Sequence, residues 1–316
     1  MASSSTIVPF PTGSLNPWIE DYQQACLFTR DAGTIRVYRQ ILSRFLQWVG
    51  TQHGTVSQFD PASLTIPLVE RYFADLAAQG YSPSHCQRVK SVLSQFCQWI
   101  VEEKGNMPRN PVRGIIIATP QPKAPRVLTP VQRSVLLKLV EQTDRRDQAL
   151  FALGYFAGCR VTDVVELRLA DTHVGPRSGW LHVGGEGIKA RDIDLSNQAR
   201  RYLYTYLQHR EHDEGSPFAF VSQRSVRLTD AGLQHWFRAL KRQAAPDEER
   251  LIADITFHDL RHDFAHRALE AGWALEELAY YLGQLTTKGL PATQTAMRYT
   301  QMTRAQVKEK LKVLKS

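Results

Sequence analysis

The sequence predicts a mainly α-helical chain of two domains: a helical amino-terminal domain, and a carboxy-terminal domain that combines helices with a small β-sheet. The chain has 316 residues, and single domains usually contain about 100–200. Apolar residues recur every three or four positions over most of its length, which is the spacing of one helix face. A proline-rich stretch near the middle interrupts this pattern, because proline cannot continue a helix. With 43% hydrophobic residues, both halves can form packed cores.

The first half predicts a small bundle of helices over residues 15–104, preceded by a flexible tail over residues 1–14. Asn16 followed by Pro17 is typical of a helix start, because asparagine caps free N–H groups and proline fits the first turn. The predicted helices of this bundle begin at Asn16, Thr34, Ile66 and Ser82.

Residues 105–126 predict a linker between the domains, because proline recurs there; an ordinary ordered loop is the alternative. Residues 127–316 form the predicted second domain. Its first helix begins at Thr129 and Pro130, another cap-and-proline pair like Asn16-Pro17 and Ser82-Pro83. Residues 180–195 alternate around several glycines, which is typical of a β-hairpin. The remainder is predicted to be mainly helical.

Charge and cysteine content narrow the class of protein. The formal net charge is +8, which favours a polyanionic partner such as nucleic acid. The four cysteines form no C-x-x-C pair, so neither a disulfide framework nor a structural zinc site is predicted. The start, MASSSTIVPFP, lacks the regions of a signal peptide, and no apolar run is long enough to cross a membrane. These features predict a cytoplasmic protein without membrane contact.

The first cluster with chemical potential is the stretch Gly-Cys-Arg-Val-Thr-Asp that starts at Gly158. Glycine permits a sharp turn, and Arg160 follows at the start of the next predicted helix. Asp163 lies one turn further on, where it is expected to hold the Arg160 guanidinium. Taken alone, the pair also fits the commoner alternative of an ion pair on a helix surface.

The second cluster is the stretch His-Asp-Leu-Arg-His that starts at His258. His258 and Arg261 are three residues apart, so they share a helix face. Arginine can donate two hydrogen bonds to one phosphate, and histidine can donate a third or transfer a proton near neutral pH. His258, His262 and His266 recur every four residues, so a zinc site is the alternative. Against zinc, Asp259 replaces the usual glutamate base, and Arg261 would oppose the charge of the metal.

Two further residues are candidates on their chemistry. Lys189 lies at the tip of the predicted hairpin, where it can reach a DNA groove and act as a general acid; a solvated turn lysine is the alternative. Tyr299 lies in an Arg-Tyr-Thr sequence. A phenol titrates near pH 10, so its attack on phosphorus requires nearby arginines that lower the cost of the phenolate.

Taken together, these motifs resemble the tyrosine recombinase (phage integrase) family, which includes Xer-type resolvases and integrases of mobile elements. GCRVTDVVEL resembles the first arginine box of the family, and HDLRHDFA resembles the second. YYLGQ followed by TQTAMRYTQ resembles the tyrosine box. The order and spacing of the boxes match. The amino-terminal helices resemble the core-binding, DNA-binding domain of the family, and the second domain resembles its catalytic domain.

The resemblance implies a site-specific recombinase that cleaves and rejoins duplex DNA through a 3′-phosphotyrosyl intermediate. Arg160 and Arg261 would clamp the scissile phosphate, and His258 would orient it or transfer a proton. Tyr299 would be the nucleophile, and Lys189 would protonate the departing 5′-hydroxyl. Neither a metal nor another cofactor is implied. Four copies would assemble on DNA at the nucleoid, and an accessory protein or a partner recombinase is a further candidate partner.

Two positions depart from the family pattern. Glu186 stands where the family usually has its lysine, so Lys189 would have to substitute for it. Gln284 stands where histidine or tryptophan usually follows the Leu-Gly pair; glutamine can donate a hydrogen bond to phosphate but cannot carry a proton. The segment between Gln284 and Tyr299 is longer than usual and contains Gly289, which predicts a loop that lets Tyr299 move and helps to time cleavage between protomers.

Three functions stay open at this point. The first is an active recombinase or integrase. The second is a DNA-binding regulator of the same fold with impaired chemistry, which the departures at Glu186 and Gln284 motivate. The third is a zinc hydrolase that uses the spaced histidines. The presence together of both arginines, His258 and Tyr299 favours the first, because a protein that only binds DNA does not need this set.

Overall fold

The protein is described here by a computed structural model, which covers residues 16–28, 30, 32–53, 59–118, 126–184, 190–210, 215–222, 225–286 and 288–297. The chain divides into two compact units, residues 1–122 and 123–316. The predicted tail, residues 1–14, lies outside the described residues. Within the ranges just given, no helix combines the length and the apolar character that a membrane crossing requires.

Four α-helices are found among the described residues of the first unit. The first and the fourth begin at their predicted caps, whereas the second begins at Ala32, two residues before the predicted start at Thr34. The Asn16 side chain accepts a hydrogen bond of 3.0 Å from the backbone N–H of Trp18. Ser82 caps the fourth helix in the same way through the N–H of His85. These helices are α1 (Pro17–Cys26), α2 (Ala32–His53), α3 (Ile66–Ala78) and α4 (Pro83–Trp99).

Aromatic side chains pack among aliphatic ones in the core of the first unit. Phe45 and Phe96 are fully buried. The rings of Phe45 and Tyr72 lie edge to face with centroids 4.9 Å apart, an arrangement that aromatic quadrupoles favour. The helix stripes predicted from the sequence therefore meet in one apolar core.

The first part of the predicted linker belongs to this core. Met107, Val112 and Ile115 are buried in it. The Asn110 side chain donates a hydrogen bond of 2.8 Å to the carbonyl of Ser94 on α4. Proline prevents a helix here but not packing, so residues 105–118 extend the amino-terminal unit. The rest of the predicted linker, residues 119–125, lies outside the described part of the chain.

The second unit combines helices with one three-stranded antiparallel sheet of order β1-β2-β3. Its strands are β1 (Thr172–Val174), β2 (Gly179–Val183) and β3 (Arg191–Asp194). The predicted hairpin is confirmed, with Val183 opposite Arg191 and Leu181 opposite Ile193. The sequence did not predict β1. The helices are α5 (Pro130–Glu141), α6 (Arg145–Tyr155), α7 (Val161–Val165), α8 (Asn197–His209), α9 (Asp230–Lys241), α10 (Pro246–Ile252), α11 (Phe257–Glu270), α12 (Leu275–Tyr281) and α13 (Thr293–Ala296).

Local capping explains where these helices begin. Thr129 and Gln132 form a reciprocal capping box at the start of α5. Asp144 accepts from the backbone N–H of Asp147 at 2.9 Å, so α6 begins at Arg145. Helix α7, which was predicted to begin near Arg160, is short and ends at Val165.

Candidate active site

The first arginine motif forms a tight turn between α6 and α7. Gly158 has a φ of +62°, a conformation that favours glycine. A Cβ atom at this position would lie 2.6 Å from the Phe264 ring. The turn places Arg160 at the cap position of α7, where its backbone N–H donates to an Asp163 carboxylate oxygen at 2.8 Å.

Asp163 pairs with a different guanidinium from the one predicted. Its Oδ2 atom accepts a hydrogen bond of 2.6 Å from Nη2 of Arg191, while the Arg160 side chain reaches elsewhere, to the carbonyl of Gly283 at 2.9 Å. The expectation that Asp163 holds the Arg160 side chain is therefore wrong. The carboxylate instead fixes the Arg160 backbone and the Arg191 guanidinium together.

The second arginine motif lies on α11. Arg261 is only 2% exposed, an unusual place for a group that is always charged. Its Nη1 atom donates to the carbonyl of Gly158 at 2.6 Å, and Nη2 donates to the carbonyl of Leu282 at 2.7 Å. These two bonds tie the second motif to the turn of the first one and to the end of α12.

The carboxyl end of α12 is where three guanidinium groups meet. Its last turn closes through two backbone hydrogen bonds, from Gly283 to Tyr280 and from Gln284 to Ala279, the pattern of a Schellman motif. The next three carbonyls then accept side-chain hydrogen bonds, and the negative end of a helix favours such cations. Tyr281 accepts from Arg191, Leu282 from Arg261 and Gly283 from Arg160.

Gln284 follows directly after these carbonyls. Its backbone is fixed on both sides, because its N–H donates to Ala279 at 2.8 Å and its carbonyl accepts from Ala292 at 2.6 Å. The backbone therefore places this residue beside the guanidinium groups. The long segment that follows makes a narrow turn, in which Leu285 and Pro291 form an isolated antiparallel bridge. Tyr299, the predicted nucleophile, lies outside the described residues.

His258 occupies the first turn of α11 and is exposed. Its ring centroid lies 4.3 Å from that of His262. His266 faces Glu270, with 3.7 Å between Nδ1 and Oε1. In the part of the chain that the structure describes, no group of three or more metal-ligating side chains is arranged to hold an ion. The geometry thus lends no support to the zinc alternative.

Lys189 also lies outside the described residues, in the connection between β2 and β3. Arg191 starts β3 immediately afterwards and is 9% exposed. Sequence reasoning missed Arg191 as a member of this cluster. The signal that could have found it is the alternation of β3, in which Arg191 and Ile193 are buried while Asp192 and Asp194 are exposed.

A second buried ion-pair network anchors α11 on its far side. Asp263 is fully buried and accepts from Arg133 on α5 at 2.8 Å and from Arg267 at 2.9 Å. It also accepts from the backbone N–H of Leu128 at 3.0 Å. This network fixes α11 against α5 without contacting Arg160, Arg191 or the end of α12 among the described residues.

Burial controls ionisation around the cluster. Cys159, between Gly158 and Arg160, is fully buried, which raises the pKa of its thiol to about 12 despite the nearby arginines. Burial likewise raises the pKa of Tyr281, whose hydroxyl donates to the carbonyl of Asp194 at 2.9 Å. Both groups are therefore neutral at physiological pH, and the charges of this region are those of the arginines and Asp163.

Comparison with known proteins identifies the class to which this cluster belongs. Residues 126–306 match the phage integrase family. The chain belongs to this family. The matched range contains Arg160, Lys189, His258, Arg261, Gln284 and Tyr299.

Curated relatives agree with this membership. The tyrosine recombinase XerD of Oceanobacillus iheyensis is 28% identical over 287 residues, which cover 87% of this chain and 90% of the relative. The tyrosine recombinase XerD of Proteus mirabilis is 30% identical over 261 residues, which cover 80% and 79%. The predicted resemblance is confirmed: the chain is a tyrosine recombinase of the phage integrase family.

Solved structures of integrases and recombinases share the fold. The integrase of the Tn1549 transposon, in complex with circular intermediate DNA, aligns with a TM-score of 0.68 at 16% identity over 93% of this chain and 97% of that one. The XerH site-specific recombinase, bound to its difH substrate, aligns with a TM-score of 0.65 at 17% identity over 94% and 83%. The mainly helical fold with a small sheet is therefore confirmed as that of the phage integrase family.

Proposed function

We propose that this chain cleaves and rejoins duplex DNA at specific sites, with the guanidinium cluster at the end of α12 as its phosphate-binding centre. The observation that carries the proposal is the convergence of Arg160 and Arg261 on adjacent carbonyls, Gly283 and Leu282. Helix carbonyls hold each guanidinium in a fixed orientation. Preorganised donors of this kind stabilise the negative charge that develops on a phosphoryl group during transfer.

The chemistry follows from this placement. The oxygen of Tyr299 attacks the scissile phosphorus, forms a phosphotyrosyl bond to the 3′ side of the strand and displaces the 5′ oxygen. Arg160 and Arg261 bind the two non-bridging oxygens. His258 orients the phosphate or accepts the phenol proton, and Lys189 donates a proton to the 5′ oxygen. Rejoining is the reverse reaction, so the bond energy is conserved and neither a nucleotide nor a metal is required.

Gln284 and Lys189 are proposed to fill two roles that the family usually gives to other residues or positions. The backbone of Gln284 is fixed beside the cluster, where its amide can donate one hydrogen bond to phosphate. Lys189 is the lysine nearest to the base of β3 along the chain, two residues before Arg191. The position of the proposed general acid therefore depends on the start of β3, where Arg191 is buried.

The proposed substrate is double-stranded DNA, in keeping with the net charge of +8. The similar Tn1549 and XerH structures contain DNA. We propose that the first unit, which contains the predicted helical domain of residues 15–104, binds DNA, and that residues 127–316 are the catalytic domain. We also propose that four copies assemble on DNA in the cytoplasm, at the nucleoid. An accessory protein or a second recombinase is a further proposed partner.

A DNA-binding regulator with impaired chemistry is the second candidate. Glu186 at the usual lysine position and Gln284 at the usual histidine position are the observations that favour it. The two candidates differ in one product: a recombinase forms a covalent adduct with DNA, whereas a regulator only binds it.

A suicide-substrate assay separates the two. Duplexes with a nick, drawn as a pool from DNA that flanks the gene, are incubated with the wild type and with Tyr299→Phe in a chelating buffer. We expect a denaturant-stable protein–DNA adduct with the wild type and none with Tyr299→Phe, which lacks only the attacking oxygen. Salt-sensitive binding without an adduct on any duplex would support the regulator instead.

A further inference from the structure

Arg191 is a buried charge in the second unit that the chemistry above does not use. Its ion pair with Asp163 measures 2.6 Å, and the two side chains are only 6% and 3% exposed. Transfer of such a pair from water into the interior carries a large desolvation penalty, and an apolar pair of similar size is often as stable. A contribution to stability alone therefore does not account for Arg191.

The hydrogen bonds of Arg191 are not those of a pair optimised for stability. Nη2 binds Asp163 and Nε donates to the carbonyl of Tyr281 at 3.2 Å. Nη1 is buried and has no hydrogen-bond partner within the described residues. An unsatisfied buried donor destabilises the folded state, because it has lost its hydrogen bonds to water. The arrangement joins two elements, α7 and the end of α12, at an energetic cost.

Two groups that hold Arg160, Asp163 and Gly283, are in contact with Arg191. Asp163 fixes the backbone of Arg160, and its second partner is the Arg191 guanidinium. Gly283 accepts the hydrogen bond of the Arg160 side chain. A Cβ atom on Gly283 would lie only 2.6 Å from Cδ of Arg191, so the Arg191 side chain packs directly against this glycine.

We propose that Arg191 is a positioning residue for the recombination reaction: it braces Asp163 and Gly283, which both support Arg160, and so sets the orientation of the Arg160 guanidinium. This inference rests on the proposed function, because it concerns how the phosphate-binding arginine of that reaction is held. Arg191 does not touch the phosphate itself. Lysine is a poor replacement, because its donors all lie on one nitrogen, whereas Arg191 reaches Asp163 through Nη2 and the Tyr281 carbonyl through Nε.

Arg191→Lys is the test variant, and Arg133→Lys is its matched control. Both arginines pair with a buried aspartate in the second unit, but Arg133 contacts Asp263 and α11 rather than the supports of Arg160. Both variants keep the charge. Single-turnover cleavage of the pooled nicked duplexes is measured well below each melting temperature. We expect Arg191→Lys to cleave about 10- to 100-fold more slowly, the effect of a small misplacement of a catalytic group, and Arg133→Lys to cleave as the wild type does.

A double-mutant cycle separates positioning from general weakening. If Arg191 acts through Arg160, its substitution has little further effect once Arg160 is replaced. We expect Arg191→Lys to slow cleavage much less in an Arg160→Lys background than in the wild type. Equal fold-losses in both backgrounds, or equal losses in Arg191→Lys and Arg133→Lys, would overturn the proposal.

Inorganic phosphate provides a readout that needs no DNA site. The Nε–H signals of labelled arginines are followed by NMR while phosphate is added to each full-length variant. We expect phosphate to shift the signals of Arg160 and Arg261 in the wild type and in Arg133→Lys, and to bind more weakly to Arg191→Lys. Equal phosphate affinity in Arg191→Lys and Arg133→Lys would contradict the positioning role of Arg191 but not the proposed phosphate site. No response of either signal in the wild type contradicts the proposed phosphate site itself.

Discussion

The two units of this recombinase differ in whether their interiors contain charged side chains. Among the described residues of the first unit, the buried side chains are apolar or aromatic, with Phe45, Phe96 and Leu93 fully enclosed. The second unit has an apolar core of its own but also encloses charged side chains. These are Asp163, Arg191, Lys241, Arg261 and Asp263.

The difference shows what each unit is built to do. An apolar core stabilises a fold in proportion to the area it buries, and the first unit follows this rule. In the second unit, Asp163, Arg191 and Arg261 surround the turn of the first arginine motif and the end of α12. Hydrogen bonds offset the desolvation of these charges only in part, since Nη1 of Arg191 has no hydrogen-bond partner within the described residues. We infer that the second unit gives up stability in exchange for the placement of phosphate-binding groups.

The largest expected effect is on chemistry, from Arg261→Met. This variant retains the volume of the side chain but removes both the phosphate-binding charge and the bonds to Gly158 and Leu282. Loss of one preorganised donor slows catalysis by about 10²–10³-fold, and loss of the bonds adds to this. Single-turnover cleavage checks it, with Phe96→Leu in the first unit as the control that retains the wild-type rate. A rate within tenfold of the wild type would remove Arg261 from the site.

The next effect is on stability, from Phe96→Ala in the first unit. Phe96 is fully buried and contacts Tyr22 and Trp99. Truncation of a buried phenylalanine costs about 3–5 kcal/mol, because it removes apolar contacts and leaves a cavity. Urea unfolding followed by tryptophan fluorescence measures the free energy of unfolding. A cost well below 2 kcal/mol would show that the first unit does not depend on its aromatic core in this way.

A somewhat smaller loss is expected from Asp263→Asn in the second unit. This substitution retains the shape but removes the charge that Arg133 and Arg267 share. Removal of one partner from a buried ion pair costs about 3 kcal/mol, because the remaining charge is uncompensated. Urea unfolding again gives the value. If Asp263→Leu with Arg133→Leu restores the stability, the pair was not required for stability, as the comparison of the units predicts.

The smallest effect concerns one buried thiol in each unit. Burial raises the pKa of Cys97 and of Cys159 to about 12, from an ordinary value of 9.0. A raised pKa in the folded state contributes stability below the unfolded pKa and loses it as the pH rises towards the folded one. Between pH 9 and 10 we therefore expect each thiol to account for up to about 1 kcal/mol of lost stability.

Alanine variants of the two cysteines check this effect by a shallower decline of the unfolding free energy above pH 9. The two variants should behave alike, although only Cys159 lies beside arginines. The opposite outcome is that Cys97→Ala makes the decline of the unfolding free energy shallower but Cys159→Ala does not. This would mean that the guanidinium groups stabilise a thiolate at position 159. The second unit would then differ from the first in the electrostatics of its interior as well.

The sequence predicts those features that depend on neighbouring residues. The pairs at Asn16, Ser82 and Thr129 each mark a helix start to the residue, because a cap is formed within one turn. The sharp turn at Gly158 is likewise predictable from one residue, because glycine adopts a positive φ without strain. The family motifs supplied the rest of the candidate site.

Contacts between distant segments were not predictable in this way. Asp163 was expected to hold Arg160, which is near in sequence, but its carboxylate pairs with Arg191, which is 28 residues away. The carbonyls at the end of α12 accept from side chains that are 21 to 123 residues distant. Residues 105–118 read as a linker because proline excludes a helix, whereas burial of Val112 depends on α4 and the rest of the core.

The measurement that tests the central claim most directly is the mapping of the covalent adduct. The wild type is trapped on the nicked duplexes, digested with protease and nuclease, and the modified peptide is sequenced by mass spectrometry. The account predicts a 3′-linked nucleotide on Tyr299, and no adduct in Arg261→Met under the same conditions. A nucleotide attached to another residue, or an adduct that forms equally well without Arg261, would contradict it.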